Sequence, residues 1–226
     1  AASDVYKRQA LDLRDRYGGT VDVIGFGPLS AEDVMKETLT YGIDDAFLIG
    51  DPQFADMDVS QVAKIVAAVI KKLGPYDLVL CGRQAIDGDS AHMASMTSCA
   101  LEIPLIAYSD EITEMKDGSV FATCMGDQMA YKVEAKTPAM ILSIREKNKN
   151  RFPSVPDIMK TYDGTYKTKI LTNEDLNFSV TKRKVTQLRK YEVKSSKQQK
   201  LVMIGGKDEE EKATQILQLL KQKSVI

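Results

Sequence analysis

The sequence predicts an α/β protein: a doubly wound, mostly parallel sheet with a mixed edge, and an extended C-terminal arm ending in a helix. Three observations predict it. From Thr20 to Tyr108, short β-branched runs alternate with longer amphipathic stretches in the order β-α-β-α-β-α-β, which suits a parallel sheet with crossover helices. After Ser109 the alternation gives way to hairpin patterns. Beyond Arg145 the chain turns polar and lysine-rich before a last amphipathic segment.

Taken in order, Ala1–Gln9 lacks an initiator methionine, reads as a truncation or assembly scar, and is set aside. Ala10–Tyr17 is a helix remnant closed by Gly18–Gly19. Thr20–Gly27 is a strand, and Ser30 is the expected cap of a helix running to Tyr41. A short buried-type strand, Ala46–Ile49, precedes a helix capped by Ser60, whose Val62, Ile65, Val66, Val69, Ile70 and Leu73 share one face. Gly74–Pro75 breaks it. Asp77–Cys81 is a strand, Ser90–Leu101 a helix and Leu105–Tyr108 another strand. Glu111–Met115 and Val120–Met125 flank a turn at Lys116–Ser119, and Tyr131–Glu134 and Ala139–Ile144 follow as strands, with Pro138 tolerated near an edge or strand start. Glu146–Lys160 shows no clear period, and Thr161–Gln199 offers few groups for a core. Leu201–Ile204 could pair as one strand, and Asp208–Lys223 is a helix, acidic at its start and basic at its end. An arm of this kind finds its core on another subunit, the competing reading being a disordered tail. The expected division is an α/β domain over 1–145 and an arm over 146–226.

Composition excludes several classes. Thirty-one basic against 32 acidic side chains leave a net charge of −1, with no basic face interleaved with aromatics for nucleic acid. No apolar run approaches the roughly 20 residues of a membrane span, so membrane insertion is not expected. Cys81, Cys99 and Cys124 are odd in number and far apart, as in a reduced, cytoplasmic protein, and they form no CxxC pair for zinc or dithiol chemistry. His92 is the single histidine, and neither GxxxxGK[ST] nor GxGxxG occurs. With no nucleophile–base pair, a binding or carrier protein is favoured over an enzyme.

The most informative stretch runs from Leu78 to Ser90. An apolar strand stops at Gly82, a polar loop carries Arg83, Asp87 and Asp89, and a helix pattern opens at Ser90. Open α/β sheets bind ligands at such strand ends, and helix N-termini attract phosphate. Gly82 permits a tight turn and close ligand approach. Amides around Ser90–Met93, the Ser90 hydroxyl and Arg83 could hold a phosphate, while Asp87 and Asp89 suit ribose hydroxyls or capping. An ordinary loop capped by Asp89 or Ser90 is the alternative. The loop Gly50–Ser60 occupies a similar place at another strand end, where its aspartates could equally be plain caps.

Several segments resemble the β subunit of electron transfer flavoproteins, including nitrogen-fixation-associated and electron-bifurcating members. They are Gly27-Pro28 with Ala31-Glu32, Tyr41–Ala46, Asp77–Asp89, Pro138-Ala139 and Arg151–Lys160. The resemblance implies an adenine-nucleotide-binding fold and a heterodimer with an α subunit that holds the transferring FAD. It implies electron carriage between flavoprotein dehydrogenases, such as acyl-CoA dehydrogenases, and an acceptor. AMP, or a second FAD in bifurcating members, would bind at Cys81, Gly82, Arg83, Gln84, Asp87, Gly88, Asp89, Ser90, Ala91, His92 and Met93. Val155, Pro156, Ile158 and Met159 would dock on the dehydrogenase, with Val155 where an anchoring leucine often lies, and the C-terminal arm would embrace the α subunit. The chain departs from the pattern in four places. A central first strand with a Val-Lys-Gln-Val-Pro-Asp-like start is absent before Ala10. His92 and Ala94 replace glutamine and glycine, Ala55–Ser60 lacks the usual glycine and threonine, and Thr161–Gly164 replaces a lysine run. The rival from another class is a stand-alone adenine-nucleotide-binding sensor domain of similar fold.

Overall fold

The computed structural model describes residues 3–55, 57–84, 90–144, 151–179 and 202–223. The chain divides into two compact units, 1–183 and 184–226. The first opens with α1 (Ser3–Tyr17), then β1 (Asp22–Phe26), α2 (Glu32–Leu39), β2 (Asp45–Ile49), α3 (Val59–Leu73), β3 (Leu78–Gly82) and α4 (Met93–Leu101). It continues with β4 (Leu105–Lys116), β5 (Ser119–Met125), β6 (Ala130–Lys136), β7 (Ala139–Ser143), α5 (Val155–Tyr162), β8 (Thr168–Leu171) and α6 (Asn173–Leu176). The second unit contains α7 (Glu209–Gln222). The predicted α/β class, parallel-rich sheet, mixed edge and C-terminal helix are all present.

The strands form a parallel sheet β1-β2-β8 and a mixed sheet β3-β7-β4-β5-β6, antiparallel from β4 onward. Side-chain alternation sorts the helices onto two faces. Val23, Ala46 and Leu48 pack against Leu11 of α1 and Met35 and Leu39 of α2. Ile24 and Ile49 turn the other way, onto Ile65 and Val69 of α3. Likewise Leu78, Leu80 and Ile141 meet Leu13 of α1, whereas Val79, Cys81 and Leu142 meet Ala94 of α4. Helix α1 thus lies across both sheets.

Among the described residues β1 pairs only with β2, and β3 only with β7. Their apolar residues remain half-buried, while Ala46–Ile49 and all of β7 are buried. The Tyr76 hydroxyl donates to the Asp22 carboxylate at 2.5 Å and ties the feet of these two edges together.

Strand β4 is one long element where a short strand and a hairpin arm are expected. Tyr108 takes a left-handed φ of 55°, and the pairing register shifts between Ile106 and Ser109. The bend carries Ile112, Val120 and Ala122 into the same cluster as Ala139 and Ile141.

Several local expectations are corrected. Helix α1 begins at Ser3, inside the stretch set aside as a scar, and its Arg8 is buried. Ser30 does not cap α2, because a 3₁₀ turn over Leu29–Ala31 precedes it and no side chain caps either element. Asp58, not Ser60, caps α3: its Oδ1 accepts from the Gln61 amide at 3.0 Å and from the Ser60 hydroxyl at 2.5 Å. Such a cap contributes about 1 kcal/mol. Helix α4 begins at Met93 rather than Ser90, since Ala91 adopts φ 54° and no helix can run through it. Val155 and Pro156 open α5 in a region expected to lack a period, and Ser154 accepts from the Asp157 amide at 3.1 Å as its cap.

Beyond Thr161 the chain contributes more core than expected: β8 pairs in parallel with β2, and Leu171, Leu176 and Phe178 pack beside Ile65 and Val69. In the second unit, residues 202–204 are not a strand. There Asp208 accepts from the Glu211 amide while the Glu211 carboxylate accepts from the Lys207 amide, and α7 starts with Glu209, Glu210 and Glu211 as its dipole favours.

Candidate functional site

Parallel pairing brings strand C-termini to common edges: Gly82 beside Ser143, and Phe26 beside Ile49. The nucleotide-site candidates occupy the first of these edges. Cys81 and Gly82 end β3, and Arg83 and Gln84 follow, with the Arg83 side chain exposed. Asp87, Gly88 and Asp89 lie outside the described residues. Ser90, Ala91 and His92 are exposed ahead of α4, and Met93 is its first residue. The His92 carbonyl accepts from the Met96 amide at 3.0 Å. The amides of Met93, Ala94 and Ser95 are therefore those a helix leaves without an internal partner. These first-turn N–H groups, the exposed Arg83 cation and the exposed Ser90 hydroxyl are donors of the kinds that suit phosphate.

Two candidates are placed by their packing. Burial pushes the Cys81 thiol up to about 12, and its Sγ faces the Ile141 carbonyl at 3.6 Å. It is thus a protonated, packed group at neutral pH rather than a nucleophile. Gly82 has its open side filled from within the chain, because a Cβ there would stand 3.3 Å from Cε1 of Tyr6. The glycine makes room for α1, a neighbour that its place at a strand end did not reveal.

Tyr6, Gln9 and Phe26 are edge residues the sequence reading passed over. Gln9 accepts at 2.5 Å from the hydroxyl of Ser143, the last residue of β7. Phe26 is partly exposed at the end of β1 and stacks on buried Phe54, their centroids 6.3 Å apart. A signal existed for Phe26, an aromatic directly before Gly27-Pro28. Tyr6 and Gln9 lay in the segment set aside.

The second loop behaves as caps. Asp51 accepts from the Gln53 amide with Oδ1 and from the Asn173 amide with Oδ2, both at 2.7 Å, and Asp58 caps α3. Asp56 lies outside the described residues. Among the described residues no cluster of three His, Cys, Asp or Glu side chains is placed for a metal ion, and no helix is long and apolar enough to cross a membrane.

The docking candidates lie apart from this edge in sequence, on α5. Val155, Pro156, Ile158 and Met159 are all exposed, with Phe152 and Tyr162 exposed beside them in sequence. Five such residues on one short helix, with Phe152 just before it, make an unusual concentration of apolar surface.

A family model, the electron transfer flavoprotein domain, matches residues 7–170. The chain belongs to the electron transfer flavoprotein family. An "Electron transfer flavoprotein subunit beta" of Thermoanaerobacterium thermosaccharolyticum is 37% identical over 169 residues, covering 74% of this chain and 64% of the relative. One of the same name from Clostridium acetobutylicum is 36% identical over 170 residues, 75% of this chain and 64% of its own. "Caffeyl-CoA reductase-Etf complex subunit CarD" of Acetobacterium woodii is 35% identical over 172 residues, again 75% and 64%. The electron transfer flavoprotein match thus takes in about 64% of the length of these relatives. It takes in α1 from residue 7 onward, the β3 edge and α5, and reaches only the last three residues, 7–9, of the segment set aside as a scar.

Proposed function

We propose that this chain acts as the β subunit of a heterodimeric electron transfer flavoprotein, a cytoplasmic carrier component rather than an enzyme. The α subunit holds the transferring FAD, and the pair shuttles electrons between flavoprotein dehydrogenases, such as acyl-CoA dehydrogenases, and an acceptor. The observation that carries the reading is the family match through residues 7–170, together with relatives whose printed names make them β subunits.

In this reading AMP or a second FAD lies along the β3 edge. Its phosphate meets the first-turn amides of α4, Ser90 and Arg83, while Asp87 and Asp89 serve the ribose. Gly82, Gln84, Gly88, Ala91 and His92 line the approach, and Cys81 supports it from behind as a packed residue. The donor set of an exposed guanidinium, a hydroxyl and unpaired amides suits either nucleotide, since both carry phosphate. FAD in the α subunit supplies the electron-carrying ring; this chain's residues bind, orient and dock. Val155, Pro156, Ile158 and Met159 form the dehydrogenase-facing surface, and residues 146–226 include the arm that packs on the α subunit.

Size measurement in solution separates this reading from a stand-alone nucleotide sensor. Mixed with an electron transfer flavoprotein α subunit, the chain is expected to sediment as a 1:1 heterodimer. A monomer unchanged by the α subunit would support the sensor.

A further inference from the structure

We propose that Arg151 is the positioning residue of the docking segment, clamping it to α1 through Asp12 and Asp15. The inference rests on the reading of α5 as the dehydrogenase-facing surface. Its geometry begins with α1. Asp12 and Asp15 stand three residues apart on that helix and so share a face. Nη1 of Arg151 lies 2.7 Å from Oδ2 of Asp15 and 3.9 Å from Oδ1 of Asp12.

One turn earlier on the same helix, Gln9 holds Ser143 at the end of β7. Both ends of the connection from β7 to α5 are thereby tied to one rod, itself fixed in the core by Leu11 and Leu13. Three residues past Arg151, the Ser154 cap starts α5.

The body of α5 is seated independently. Thr161 is buried and donates to the Asp157 carbonyl, Asp157 Oδ2 lies beside Gly42, and Tyr166 packs against the α1–α2 cluster. The opposite side carries Val155, Met159 and Tyr162, 65–71% exposed, and Phe152 before the helix is 78% exposed. Phe152 lies between the clamp and the cap, so Arg151 fixes the portion of the apolar surface that α5 itself does not order. Ordering such residues in advance removes a cost from association without any contact to the partner.

The clamp has little to do with holding the fold together. The pair is partly exposed, and such pairs contribute little to stability. Removing Arg151 does not strand Asp15, because Arg14 lies 3.8 Å from its other oxygen. Arg14 itself is held by the Gly42 carbonyl at 2.5 Å.

The test uses the chain in complex with an α subunit and an acyl-CoA dehydrogenase as the electron donor. Arg151→Gln is expected to raise the KM for the carrier about three- to fivefold, the effect of one well-made exposed pair, with kcat and Tm unchanged. Amide exchange at Phe152 and Val155 should quicken, Asp15→Asn should reproduce the defect, and Arg151→Lys should recover much of it. An unchanged KM in Arg151→Gln overturns the clamp, as does a defect that tracks a lowered Tm and is not recovered by lysine. Charged substitutions at Val155 and Met159 serve as the control for the surface itself. If those raise KM and Arg151→Gln does not, the clamp alone fails. If neither does, the docking reading fails with it.

Discussion

Val155→Asp combined with Met159→Asp is expected to raise the KM of the heterodimer for its dehydrogenase about 1,000-fold, with little change in thermal stability. Both side chains are 65% exposed or more, and neither belongs to a core cluster, so the fold loses almost nothing when they change. Docking would bury them, and apolar anchors at the centre of an interface each carry roughly 2 kcal/mol or more. A buried, unpaired carboxylate adds its own desolvation cost. Steady-state reduction of the complex at varied carrier concentration checks this, with kcat as the internal control. An unchanged KM removes α5 from the docking surface.

Gly82→Val is the second large effect, and its size depends on Tyr6. Even a Cβ at position 82 would stand 3.3 Å from the ring, and valine adds two methyl groups beyond it. Overpacking of this kind costs about 1–3 kcal/mol. In the Tyr6→Ala background the same change should cost much less, because the obstructing ring is gone. Urea unfolding of the two single variants and the double variant measures that coupling. Additive costs would show that the glycine is required for the turn or for a ligand rather than for Tyr6.

Much of the fold could be read because its signals are local. Val23, Ile24, Ala46–Ile49 and Leu78–Cys81 lie in short apolar runs, and the stripe on α3 repeats at helical spacing. What escaped depends on distant partners. Thr168–Leu171 reads as part of a polar arm, and becomes a strand because β2 offers it a parallel edge. Serine before a helix is a good cap in general, but Asp58 outcompetes Ser60 by accepting from both the Gln61 amide and the serine's own hydroxyl. Helix α4 starts late because Ala91 turns left-handed, a conformation that alanine does not signal in a sequence.

The candidate site shows the same division. Its place at a strand end before a helix followed from pattern, with Arg83 directly after Gly82, but the helix opens at Met93 and leaves Ser90 in the loop ahead of it. The occupant of the space above Gly82 did not follow, since a glycine says only that something comes close. In this fold the neighbour is Tyr6, from a helix start that resembled a scar. The role of Arg151 was equally hidden, because its carboxylate partners lie on α1, far away in sequence.

Nucleotide stoichiometry tests the central claim most directly. The chain, co-expressed with an electron transfer flavoprotein α subunit and purified as the complex, is denatured and its released nucleotides are counted. The account predicts, per heterodimer, either one FAD with one AMP or two FAD, with the AMP or second FAD lost on Arg83→Glu. One FAD with neither AMP nor a second FAD would contradict it.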